Sequence, residues 1–242
     1  MPIRDNKRLQ RIKPQVVRTV KKQVIKNRVP ASNNKTQKSR KYSSVIPLWK
    51  DETVYIVGGG PSLKDFDWKR LKGKKVIAIN RAFQVLPDAD VLYWTDSRFW
   101  KWYNQEIKQF KGFKYTCRPY SPEQQDVILL KAINTKPLSL DLAHISHGNN
   151  SGYGAINLAV LLGAKKIYLL GYDMASKDAN THWHDGYSTK HNHTIYVKMM
   201  AAFNKIAPEL AKNNITVYNA NVKSQLTVFE KCSIETALKD KS

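Results

Sequence analysis

From residue 53 onward, short runs of β-branched and aromatic residues alternate with stretches of helical character, and this alternation leaves few folds open. TVYIV at 53–57, VIAI at 76–79 and VLYWT at 91–95 have strand length, and each run ends at a polar residue or glycine. KYTC at 114–117, KIYLL at 166–170 and ITVY at 215–218 add three more. Residues 152–163 predict a helix that is apolar all round and closed by Gly163, and residues 194–212 predict a longer amphipathic one. Runs without polar alternation suit strands buried on both faces, so the expected fold is α/β: a Rossmann-like, doubly wound, mostly parallel sheet. In such sheets ligands rest at the carboxyl ends of the strands, which makes the residues after each run the candidates for chemistry.

The first run leads into Gly58-Gly59-Gly60-Pro61-Ser62. Glycines let the backbone turn tightly against a ligand and leave amides open to a phosphate, while Pro61 and Ser62 suit a helix start. The spacing is neither that of a dinucleotide fingerprint nor that of a P-loop, because no Gly-Lys-Ser/Thr follows. Asn80 and Asp96 end the second and third runs. Asn80 offers a donor and an acceptor to a base or ribose, and Asp96 suits a ribose hydroxyl or hydrated magnesium; helix capping is the alternative for both. Asp88 and Asp90 spell an acidic pair that precedes a strand and is expected to be a surface turn.

Asn149-Asn150-Ser151-Gly152 opens the apolar helix, with Ser151 expected as its N-cap and the free amides of the first turn as a second anion site. Asp173 follows the KIYLL run and is a further candidate, as catalytic carboxylate, metal ligand or acceptor ligand. Four histidines, His182, His184, His191 and His193, crowd the next stretch, and His182 or His184 is expected to act as general acid or base. In an extended loop these two would point to opposite sides. No helical His-x-x-x-His or nearby cysteine completes a zinc set, so no metal site is assigned. The aromatic cluster Trp94, Phe99, Trp100, Trp102 and Tyr103 suits either stacking on a base or sugar, or core packing of an amphipathic helix.

Charge is distributed unevenly. Lys and Arg total 41 against 19 acids, a formal +22, and residues 1–50 hold fifteen of those bases against one acid, Asp5, for a net +14. Residues 1–50 are therefore expected to be a basic tail, disordered or loosely helical, and residues 51–242 the folded domain. Such a tail attracts polyanions through counterion release, which makes nucleic acid a candidate partner, with a solubilising role as the alternative. The two cysteines, Cys117 and Cys232, are expected to be reduced thiols. No apolar run reaches the roughly 20 residues of a membrane span and no apolar secretory segment opens the sequence, so a cytoplasmic location is expected.

The run GGGPSLKDFD at 58–67, the AIN at 78–80 and NSGYGAINLAVLLGAKKIYLLGYDM at 150–174 together resemble a superfamily. It joins MptE-like 6-hydroxymethylpterin pyrophosphokinases with bacterial lipooligosaccharide sialyltransferases, and members encoded in phage and prophage genomes look most similar. The resemblance covers residues 53–232. It implies a nucleotide-activated donor, nucleotide sugar or ATP, held by Gly58–Ser62, Asn80 and Ser151, with a catalytic histidine near 182–184. Gly59 and Asp96 stand where the sialyltransferases carry Asn, so cytidine recognition does not carry over. Three functions follow: glycosyl transfer from a nucleotide sugar, with Arg81 and Arg98 as candidates to steady the diphosphate; pyrophosphoryl transfer from ATP, with magnesium on Asp96 and Asp173; or a non-catalytic nucleic-acid-binding protein. The acceptor stays open. Residues 118–147 are expected to form a lid or insertion beside the acceptor.

Overall fold

A computed structural model describes residues 42–118, 126–175, 182–184 and 193–240. The expected six strands are all present, as β1 (Thr53–Val57), β2 (Lys75–Ile79), β3 (Val91–Trp94), β4 (Phe113–Thr116), β8 (Lys166–Leu170) and β9 (Thr216–Asn219). β5 (Val127–Leu129) and β10 (Glu230–Lys231) extend the sheet to the order β10-β9-β8-β1-β2-β3-β4-β5. Every pair is parallel. The chain builds outward from β1 to β5, then returns to the other side of β1 with β8, so strand order reverses between β1 and β8. That reversal opens a crevice at the carboxyl edge.

Burial on both faces explains the unbroken apolar runs. Val54 and Ile56 of β1 pack in one cluster with helix α3 (Ser151–Leu161) and with α4 (His193–Lys212). Tyr55 and Val57 belong to the opposite cluster, with Leu63, Phe83 of α1 (Ala82–Val85), Phe99 of α2 (Ser97–Gln109) and Ala237 of α5 (Ile234–Lys239). Trp94 and Phe99 are core residues, while Trp102 of the same aromatic cluster is 47% exposed. No helix among the described residues is long and apolar enough to cross a membrane.

Two expectations are revised by packing. The folded body reaches back beyond residue 51, because Val45 and Trp49 are buried and the amides of Leu48 and Trp49 both donate to Leu162 at the end of α3. Residues 1–41, the bulk of the basic tail, lie outside the described residues. The expected lid at 118–147 contains β5 and a separate parallel pair, β6 (Lys131–Ile133) and β7 (His144–Ser146); Pro119–Gln125 lie outside the described residues. These strands run only three residues each, too short for sequence periodicity to register.

One buried side chain ties that pair to α3. Asn157 is fully buried; its Oδ1 accepts from the amides of Ser139 at 3.1 Å and Ser146 at 2.8 Å, and its Nδ2 donates to Ser139 O at 2.8 Å. Asn157→Leu fills the volume but leaves three backbone groups unpaired, at about 1–3 kcal/mol each. Urea unfolding of that variant should show stability lowered by about 3 kcal/mol or more with an unchanged m-value; a midpoint equal to wild type would contradict this role.

Candidate functional site

The crevice is built first by backbone proximity. Gly58 N–H donates to Leu170 O at 2.8 Å and Gly60 N–H to Gly171 O at 2.9 Å, so the β1 and β8 strand ends stay in register beyond the sheet. A Cβ on Gly60 would fall on the Asp173 carboxylate, which is why glycine alone fits there. Pro61 opens a single 3₁₀ turn, Pro61–Leu63. Asp173 Oδ1 accepts from Ser62 N–H at 3.0 Å and Oδ2 from Ser62 Oγ at 2.8 Å. Burial pushes the Asp173 carboxyl above the usual range, opposed by the Ser62 bonds. Ser62 and Asp173 thus brace the turn; Asp173 lines the pocket, whereas Pro61 and Ser62 stand behind it.

The second wall is the head of α3. Asn150, not Ser151, is its N-cap: Asn150 Oδ1 accepts from Tyr153 N–H at 2.7 Å, while its buried Nδ2 has no partner among the described residues. Left-handed Gly148 (φ 49°) and Asn149 (φ 57°) place the cap one residue earlier than expected. Ser151 Oγ is released to other work. It accepts from Thr95 N–H at 3.2 Å, lies 2.9 Å from Thr95 Oγ1 and donates to Asn80 Oδ1 at 3.2 Å. Asn80 is itself left-handed, φ 49°, with its amide bonded to Tyr93 O.

The third wall is His182-Trp183-His184. Trp183 N–H donates to Gly59 O at 2.9 Å and its indole Nε1–H to Gly58 O at 3.2 Å, so this segment is keyed to the glycine turn. A Cβ on Gly59 would stand 2.8 Å from the His182 ring, which therefore lies against that glycine. The two histidines do not point apart as expected: a bend at Trp183 brings their rings into a stack, 5.3 Å between centroids and 23° between planes. Arg81 Nη1 lies 3.2 Å from His184 Nδ1. Because arginine only donates, that nitrogen is the acceptor and the ring proton sits on Nε2. Burial, then Arg81, then His182 push His184 down to about 3. His191 and the His193 side chain lie outside the described residues.

Together the walls line an open pocket of about 130 Å³, bordered by Gly58–Gly60, Asn80, Asn150–Gly152, Gly171–Ala175 and His182, with Ile79, Tyr196 and Met199. Beside the Asp173 carboxylate, the glycine turn and the helix head present donors. The Gly58 and Gly59 carbonyls are taken by Trp183, while the amides of Gly59, Ser151 and Gly152 and the Asn150 Nδ2 group have no partner among the described residues. With the positive end of the α3 dipole added, this floor favours an acidic ligand group.

Asp96 does not join the pocket. It caps α2 by accepting from Arg98 N–H at 2.9 Å, and it pairs with the Arg98 guanidinium at 2.7 Å, which holds its carboxyl below the usual range. Capping prevailed because the partner lies two residues away on the same turn. The same pair engages Arg98, and Arg81 is held by Gln84 and His184, so neither arginine stands free for a diphosphate. The magnesium set expected of Asp96 and Asp173 does not fit, since Arg98 and Ser62 already occupy both carboxylates; no group of three His, Cys, Asp or Glu residues suited to a metal occurs among the described residues. Asp90 accepts from Val76 N–H at 2.9 Å and is a turn brace. Thr95, Trp183, Tyr196 and Met199 escaped the sequence reading; nothing local distinguishes them.

No protein-family model matches the chain, and no curated protein does. Among solved structures, the sialyltransferase CstII from Campylobacter jejuni with cytidine-5'-monophosphate covers 76% of this chain and 86% of its own, at 17% identity and a TM-score of 0.45. Its complex with CMP-3FNeuAc covers 75% and 85%, at 16% identity and a TM-score of 0.42. The MAf glycosyltransferase from Magnetospirillum magneticum AMB-1 is similar over 88% of this chain at 16% identity, with a TM-score of 0.58. This chain spans 37% of that protein's length, and what the two share is the fold.

Proposed function

We propose that this chain is a nucleotide-dependent transferase that moves a sugar from a nucleotide-sugar donor to an acceptor hydroxyl. The observation that carries the reading is the set of donors without a partner among the described residues, Gly59 N–H, the Asn150 Nδ2 group and the amides of Ser151 and Gly152, gathered with His182 at the strand-order reversal. The fold shared with a glycosyltransferase supports it.

In this reading the donor phosphates rest on the head of α3 and the glycine turn. The acceptor hydroxyl attacks the anomeric carbon, the bond from that carbon to the phosphate oxygen breaks, and the nucleotide leaves with the electron pair. Fixed N–H groups stabilise the charge gathering on the departing oxygen, at no cost of reorganisation. The acceptor proton passes to a base. His184, pushed down to about 3, is too weak a base near neutrality, and its Nδ1 is held by Arg81. His182, which lines the pocket, takes that role, and His184 keeps its ring in place by stacking.

Pyrophosphoryl transfer from ATP is the weaker alternative, because the two carboxylates it would use are already engaged. The basic sequence of residues 1–41 fits a polyanionic partner such as nucleic acid. Removing those residues should abolish salt-sensitive binding to duplex DNA while leaving the melting temperature of the body unchanged; retained binding would reject that role.

Melting curves with CMP-, UDP- and GDP-sugars and with Mg-ATP test the central reading. A ligand at 100 times its Kd stabilises the fold by about 2.7 kcal/mol, a rise of several degrees. A nucleotide sugar should produce that rise and Mg-ATP should not; no shift with any of them overturns the assignment. With the stabilising donor in hand, His182→Ala should lower turnover at least about 100-fold and leave donor affinity within a few-fold.

His184 also makes a pH prediction. Unfolded, it gains a proton near 6.5, whereas folded it stays neutral down to about 3, so the unfolded chain binds more protons between those values. Its contribution to stability is complete above pH 6.5 and is lost as pH falls toward 3. His184→Gln should therefore lose less of its melting temperature than wild type on acidification from pH 7 to 4; parallel curves would contradict the low value.

A further inference from the structure

We propose that Thr95 and Ser151 are positioning residues that aim the Asn80 amide at the ligand, and that the Ser151 hydroxyl itself takes no part in binding; the proposal rests on the nucleotide reading above. A hydroxyl has one proton and two lone pairs. At Ser151 the Thr95 amide occupies one lone pair at 3.2 Å, and the proton goes to Asn80 Oδ1 at 3.2 Å. The remaining lone pair faces Thr95 Oγ1 at 2.9 Å, so Thr95 must be the donor there. Ser151 is then saturated. No capacity is left for a ligand, although the residue lines the pocket.

The consequence falls on Asn80. Its backbone is held left-handed by the bond to Tyr93 O, and its Oδ1 is held by Ser151. What Asn80 presents to the pocket is therefore its Nδ2 donor. The opposite amide orientation would reverse the whole chain, with Ser151 donating to Thr95 and the Asn80 carbonyl facing the ligand. The surrounding donors, Gly59 N–H, Gly152 N–H and the Asn150 Nδ2 group, favour the first arrangement, because an acidic group already drawn there would repel a carbonyl. Hydrogen bonds thus run in one direction, from Thr95 through Ser151 and Asn80 to an acceptor-only oxygen of the bound nucleotide, and each polarises the next. The discriminating feature is a preference for an oxygen that cannot donate.

A double-mutant cycle tests this, with CMP, UDP and GDP titrated calorimetrically into the full chain. Asn80→Gly removes the side chain while suiting the left-handed backbone, which keeps the variant folded. Ser151→Ala and Asn80→Gly should each weaken the best-binding nucleotide about tenfold. The double variant should bind no more than about twofold more weakly than Asn80→Gly alone, since Ser151 acts only through Asn80. Thr95→Val should weaken binding, and Thr95→Ser, which keeps the hydroxyl, should restore wild-type affinity. If Ser151→Ala costs as much in the Asn80→Gly background as in wild type, Ser151 touches the ligand directly and the proposal fails while the nucleotide reading stands. Absence of binding by the wild-type chain to all three nucleotides overturns both.

Discussion

The site depends on how closely two strand ends approach. β1 and β8 are parallel neighbours, and beyond their last paired residues the backbone of Gly58–Gly60 stays bonded to Leu170 and Gly171. A side chain at position 60 would occupy the space of the Asp173 carboxylate. Its absence lets Asp173 reach Ser62, and the bare Gly59 lets the His182 ring lie against the turn while Trp183 bonds the carbonyls of Gly58 and Gly59. Two adjacent glycines therefore close the turn and seat the histidine segment.

That arrangement also sorts donors from acceptors. Buried backbone groups must find partners, and here the carbonyls find theirs within the protein. The amides at the turn and at the head of α3 are left facing the crevice. Donors at the glycine turn and helix head, with a helix dipole behind them, suit an acid group without a lysine or arginine in contact. The engagement of Arg81 with His184 and of Arg98 with Asp96 is consistent with such a site. The same logic separates residues that touch a ligand from residues that aim others: Ser62 and Ser151, both on the glycine and helix motifs, are engaged in bracing.

Much of the fold was legible because it rests on short-range periodicity. Apolar runs of four or five residues mark strands buried on both faces, and the apolar stretch ending at Gly163 marks α3. The three-residue strands β5, β6 and β7 carry too few positions for a pattern and went unseen. Within the site, Gly58–Gly60, Asn80, Asn150–Gly152, Asp173 and His182 were legible as residues that follow strands or open helices, and they do line one pocket. Asp96 satisfied the same rule yet turned to its own helix.

By itself the sequence determined where strands end, hence which residues crowd the carboxyl edge, because backbone preference and burial act over a few neighbouring positions. Tertiary structure alone decided which of them share a pocket and what each side chain is free to do. Ser62 meets Asp173 across 111 residues, Asn80 meets Ser151 across 71, and Arg81 meets His184 across 103. Hydrogen-bonding capacity is finite, so the role of each polar group was set by partners that no local pattern specifies.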